Sequence, residues 1–225
     1  MTPALADLTW PQVGQRTGAL LVVPLGATEQ HGPHLPLSVD TDVAVALCRG
    51  LAARREDVLL APALPYGSSG EHAGFPGTLS IGQEALELVV VELARSATDT
   101  VARVLFVSGH GGNAEPLGRA VTRLRAEGRD VRAFAPTWSG DVHAGRVETG
   151  LALALDPSRV ELSAAAAGDT RPLVAMLPEL RAGGVRAVAP NGVLGDPTGA
   201  SADEGAATLA RLISDLSHTV DQWWP

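Results

Sequence analysis

The chain has no lysine: all 17 of its basic residues are arginine. Schiff-base catalysis and the phosphate-gripping loop of nucleotide hydrolases both need a lysine amine, so two large enzyme classes fall away. Cysteine is nearly absent as well. Cys48 stands alone, which excludes an internal disulfide, and its place among Val43, Ala46, Leu47 and Leu51 at helical spacing marks it as a small buried apolar residue rather than a nucleophile. Positive charge is short: 17 basic against 25 acidic residues leave a net charge of −8. That is the wrong sign for holding a phosphate backbone, and no nucleic-acid partner is expected. No apolar run approaches the roughly 18 residues of a membrane span, and the opening Met-Thr-Pro-Ala-Leu-Ala-Asp lacks the basic start and apolar core of a secretion signal. The expectation is a cytoplasmic protein with no membrane partner. A serine nucleophile elbow is missing too, because residues 67–71 read Gly-Ser-Ser-Gly-Glu where Gly-x-Ser-x-Gly is required. A protein-bound metal is left as the main source of reactivity.

What is present fits one globular domain over residues 1–225, since 45% hydrophobic content in a chain of this length supplies a full core. Residues 19–25 read as a buried strand, 43–55 as a helix and 58–61 as a second strand. Residues 62–76 hold too much glycine and proline for a regular element and form a long loop of the kind that carries function. Residues 83–97 predict a helix with Leu86, Val89, Val90 and Leu93 facing inward. The continuous apolar run at 103–108 predicts a strand covered on both faces, followed by a glycine-rich turn, Asn113 as a helix cap and a helix to about residue 127. A strand at 131–135, a short helix at 147–155, small-residue loops at 164–168 and 181–184, and an amphipathic helix at 201–220 complete the pattern. Strands alternating with helices imply an α/β fold with a mainly parallel sheet, and ligands of such sheets bind at the carboxyl ends of the strands.

That edge is where the chemistry-bearing residues fall. Directly after the first strand, Glu29 and His31 sit two apart in an extended segment, so their side chains point the same way. Asp40 and Asp42 flank Thr41 at a helix start, where a capping role accounts for one carboxylate and leaves the other, Asp40, for a ligand. His34 reads as a residue supporting the site. His110 follows the next strand in a turn of three glycines that lets the backbone approach a ligand closely. His143 and Glu148 add a further imidazole and acid at the start of the short helix. Glu29, His31, Asp40, His110 and Glu148 are too many ligands for one catalytic ion with an open position, and suit two ions bridged by a carboxylate. His143 is then free for proton transfer. Ser69, Glu71 and His72 in the Gly/Ser loop, with Trp138, are the candidate substrate-binding residues, while Trp223 and Trp224 are expected to pack on the body or on a neighbouring subunit. Oxygen and imidazole donors without thiolate accept Zn(II), Fe(II) or Mn(II).

Taken together, Gly-Ala-Thr-Glu-Gln-His-Gly-Pro-His-Leu-Pro-Leu, Gly-Ser-Ser-Gly-Glu-His, Gly-His-Gly-Gly-Asn, His-Ala-Gly-x-x-Glu-Thr and the late Gly-Val-Leu-Gly-Asp-Pro-Thr resemble the creatininase (creatinine amidohydrolase) family, in the family's order, across about residues 18–215. The resemblance implies a three-layer α/β/α sandwich, two divalent ions per subunit (Zn(II) and/or Fe(II), with Mn(II) possible) and a homo-oligomer built from dimers. It also implies that Glu29 and His110 bind one ion, His31 the other, and Asp40 both. Creatininase itself carries a metal-binding glutamate two residues after the strand-end histidine; here that position is Gly112, so Glu148 is expected to serve the second ion. The loop at 61–86 most resembles a peptidase branch of the family, which releases the C-terminal Val-Tyr-derived portion of a radical-modified precursor peptide. The expected activity is metal-dependent amide hydrolysis with His143 passing a proton to the leaving amine. The rival expectations are a small cyclic amide or formamide as substrate, and a metal-binding scaffold that presents the peptide without cleaving it.

Overall fold

Four strands, β1 (Leu20–Leu25), β2 (Val58–Leu60), β3 (Arg103–Ser108) and β4 (Val131–Phe134), pair in the order β2-β1-β3-β4, every pairing parallel. The computed structural model describes residues 4–224; the first three residues of the opening segment lie outside them. Around the sheet run α1 (Trp10–Gly14), α2 (Val39–Ala52), α3 (Gln83–Ala97), α4 (Ala114–Ala126), α5 (Arg146–Leu155), α6 (Leu173–Val188) and α7 (Ala202–Trp223). No described helix is long and apolar enough to cross a membrane.

All six residues of β1 are buried because successive side chains enter opposite cores. Leu20 and Val22 join Leu105 and Val107 of β3 beneath α2, α5 and α7. Leu21, Val23 and Leu25 join Val104 and Phe106 beneath α3 and α4. This is an α/β/α sandwich. Pro24, without an N–H to donate, lies in β1 beyond Leu60, the last residue of β2, where its carbonyl accepts from Leu64.

Several elements differ from the sequence reading. The helix expected at 43–55 begins at Val39, so Asp40 and Asp42 both stand in its first turn; Ser38 and Arg159 bind Asp42, and Asp40 is left facing the sheet edge. In α3 the inward residues are Leu86, Val90, Val91 and Ala94, with Val89 exposed, a rotation of the stripe that follows helical spacing from Leu86. Residues 181–184, expected as a loop, lie inside α6, which kinks where Gly184 takes φ +68° and which also contains Pro178. Two glycines and a proline hid that helix from the pattern. Asn113 precedes α4 without capping it; its side chain accepts from Ser68 N–H and donates to the Gly26 carbonyl, tying three loops together. Trp223 and Trp224 pack on the body: the Trp223 indole donates to Asp130, and Arg55 and Arg103 stack on Trp224. Cys48 is buried in the core as expected.

Candidate metal centre

Two close approaches bring α2 to the ends of β1 and β3. A Cβ on Gly26, just after β1, would lie 2.4 Å from the Thr41 Cα, and one on Gly109, just after β3, would lie 2.1 Å from the Asp40 carbonyl oxygen. Glycine is the residue that permits such contact. Asp40 is thereby held between the loop bearing Glu29 and His31 and the loop bearing His110. His31 pairs with Leu35 across a tight turn through Gly32, which keeps Glu29 and His31 extended and on one side. From α5 comes Glu148, whose Oε2 also accepts the N–H of Ala144 at 2.5 Å and so steadies a residue held at φ +53°.

The five expected ligands are all brought together, every one of them at least nine-tenths buried. His31 Nε2 lies 3.1 Å from Asp40 Oδ1 and 4.0 Å from Glu148 Oε2. His110 Nδ1 lies 3.2 Å from Glu29 Oε1 and 3.3 Å from Asp40 Oδ2. Three sets of ligand atoms converge: Glu29 with Asp40 and His110, His31 with Asp40 and Glu148, and Glu29 with His31 and His143. Asp40 belongs to the first two.

Neither oxygen of Glu29, nor Oδ2 of Asp40, has a hydrogen bond, although histidine nitrogens stand within 3.3 Å of two of these atoms. An unpaired buried polar atom costs about 1–3 kcal/mol and a charged one more, and a cation among these atoms removes that cost. The residues fit a divalent ion.

Electrostatics divide the four histidines around Glu29 into two pairs. Burial opposes charge on His31, yet Asp40, Glu148 and Glu29 together raise it to about 10. His110 is likewise raised against burial by Asp40 and Glu29. His72, by contrast, is pushed down to about 3 by burial and by the charges of His31 and His110, and His143 falls well below its ordinary range through burial and the charges of His31 and His72. Glu29 is raised by burial and by Asp40, and Glu148 is raised to about 7 by burial, with His31 opposing. Asp40 is held well below the usual carboxylate range, against burial, by His31 and His110.

His72, expected in the pocket wall, lies deeper than that: Nε2 is 3.3 Å from Glu29 Oε1 and Nδ1 2.8 Å from the Gln30 amide nitrogen. Ser69 is fully buried with Oγ 3.4 Å from His110 Nε2, and Glu71 Oε1 lies 3.5 Å from the same nitrogen. Trp138 is half-buried against the core on the α2 side of the sheet. His34 Nε2 meets the Thr149 hydroxyl at 2.8 Å, joining the first loop to α5 beside Glu148. The residue missed by sequence reasoning is Gln30. Its amide nitrogen reaches His72 and donates to the Gly192 carbonyl, while its oxygen accepts from Gly32 N–H. A Cβ on Gly192 would lie 1.9 Å from that oxygen; the glycine of the late motif was the available signal. The same segment holds His143 through paired backbone bonds with Leu194.

A family model described as creatinine amidohydrolase matches residues 6–220. A mycofactocin precursor peptide peptidase of Mycobacterium tuberculosis (strain CDC 1551 / Oshkosh) is 48% identical over 93% of this chain and 87% of its own length. Among solved structures, a manganese form of creatininase matches at TM-score 0.83 and 25% identity over 100% of both chains. A Zn-Zn form of a creatininase variant matches at TM-score 0.84 and 25% identity, over 100% of this chain and 99% of that one. With those metal-bearing relatives and the buried ligand cluster, the centre is a divalent-metal site. The chain belongs to the creatininase family.

Proposed function

We propose that this protein is a metal-dependent peptidase that cleaves the mycofactocin precursor peptide at an amide bond, releasing its C-terminal Val-Tyr-derived portion. The observation that carries the reading is the set of overlapping buried ligand groups with Asp40 in common, and the 48% identical peptidase supports the substrate. Two ions suit the cluster, one with Glu29, Asp40 and His110 and the other with His31, Asp40 and Glu148. Zn(II) and Fe(II) are the expected occupants, and Mn(II) suits the same donors. When bound, such ions polarise a carbonyl and bring the pKa of water from about 16 to about 7.

The chain's own residues do the rest. Neutral His143 donates from Nε2 to the Gln30 carbonyl at 2.8 Å, which leaves Nδ1 as a bare acceptor 3.9 Å from Glu29 Oε1. It takes up the proton of the attacking water and passes it to the leaving amine, as general acid–base catalysis requires. Gln30 fixes the imidazoles of His72 and His143. Ser69, Glu71, His72 and Trp138 contribute to substrate binding.

The test is incubation of the purified, metal-loaded protein with the modified precursor peptide and, separately, with creatinine, read by mass spectrometry. Release of the C-terminal portion from the peptide is expected. Turnover of creatinine with the peptide intact would favour a small cyclic amide, and an intact peptide with full metal occupancy would favour the non-catalytic scaffold.

A further inference from the structure

The two nitrogens of His110 face different surroundings. Nδ1 is turned to Glu29 and Asp40, at 3.2 and 3.3 Å. Nε2 is turned away, towards the Ser68 carbonyl at 3.0 Å, Ser69 Oγ at 3.4 Å and Glu71 Oε1 at 3.5 Å. An imidazole that gives Nδ1 to a cation keeps its proton on Nε2. That N–H meets the Ser68 carbonyl, and the Glu71 carboxylate stands beside the same nitrogen at 3.5 Å.

The carboxylate has its place through two glycines on separate elements. A Cβ on Gly112 would lie 2.5 Å from Glu71 Oε1 and 2.4 Å from His110 Nε2. At the kink of α6, a Cβ on Gly184 would lie 2.6 Å from the Glu71 carbonyl oxygen. One glycine leaves room for the side chain over the imidazole, and the other lets α6 pack on the backbone behind it. Nearby, Arg186 donates to the Gly74 carbonyl at 2.5 Å and anchors the same loop to α6.

We infer that Glu71 is a positioning residue: acting through the far nitrogen of His110, it orients that imidazole and strengthens its hold on a divalent cation. A carboxylate behind a metal-bound imidazole raises the basicity of the ligand, and loss of such a partner lowers metal affinity by about 10- to 100-fold. The inference rests on the reading of the cluster as a metal centre and adds Glu71, outside the five ligands, to what sets its affinity.

The experiment is Glu71→Gln in the full chain, which keeps shape and removes charge. Zn(II) and Mn(II) affinities are measured by competition with a chromophoric chelator, and the d–d spectrum is recorded with Co(II) bound. The metal-free melting temperature is measured in EDTA. The expected result is an affinity lower by about 10- to 100-fold, a shifted Co(II) spectrum and an unchanged metal-free melting temperature. Affinity within about twofold of the parent protein overturns the inference, as does a fall in affinity matched by a fall in metal-free melting temperature. A parent protein that takes up no cation overturns the metal-centre reading as well, so the two failures are distinguishable.

Discussion

Asp40 is the residue on which the centre depends, because two of the three converging ligand sets include it. Asp40→Ala is expected to abolish bound metal, read by elemental analysis, and hydrolysis with it. Glu148→Gln is expected to cost only the ion shared with His31, so a variant retaining two ions would refute the two-set arrangement. His143→Ala should keep its metal and lose about 100- to 10,000-fold in rate; if it loses metal instead, the third ligand set is the one His143 serves. The raised histidine gives the pH dependence its sign. His31 binds its proton more tightly when folded, about 10 against an ordinary 6.5, so its contribution to stability is complete below 6.5 and lost as pH rises through 10. Glu148, raised from 4.5 to about 7, acts in the same direction over a lower window. Below about pH 6.5 the lowered His72 and His143 act in the opposite direction, so the melting temperature of the metal-free protein should fall as pH is raised from about 7 to 10, while apparent metal affinity rises, because the ion must displace the His31 proton. A metal-free melting curve that rises with pH over 7–10 would contradict this account.

Among the elements, α2 carries the geometry. Its first turn is pressed against Gly26 and Gly109, and the Asp40 backbone has no room for a side chain at 109. Gly109→Ala is expected to cost about 1–3 kcal/mol in urea unfolding through overpacking, and to lower metal content because the displaced turn carries Asp40. Leu86→Ala, in the opposite core beneath α3, should cost about 2–5 kcal/mol yet leave metal content unchanged in the folded fraction. Equal metal loss in both would mean that general loosening, and not the α2 contact, governs the site. The elements most legible in the sequence were those with an unbroken apolar rhythm, β1, β3 and α3, the last matching its expected span of 83–97. The start of α2 was obscured because two acids, Asp40 and Asp42, interrupt the apolar stripe in its first turn. α6 was obscured by Pro178, Gly183 and Gly184, and its kink became intelligible only against the Glu71 backbone it accommodates.

For the molecule as a whole, the expectation of a homo-oligomer built from dimers is open to light scattering, where the mass of one chain at working concentration would end it. Cation binding should stabilise the fold by about 2.7 kcal/mol when the free ion is at one hundred times its dissociation constant, visible as a higher melting temperature and reversed by chelation. By itself the sequence determined the alternation of strands and helices, the absence of lysine and thiol chemistry, and the ligand types, because these depend on composition and local periodicity. It placed Glu29, His31 and His110 on one edge of the sheet, since they follow strands, and offered Asp40 and Glu148 as acids at helix starts. Only the tertiary structure decided that Gln30 reaches across to Gly192, 162 positions away, and that Glu71 occupies space left by Gly112. Those facts depend on where backbones from distant segments pass within a few ångströms of each other, and neither periodicity nor residue type carries that distance.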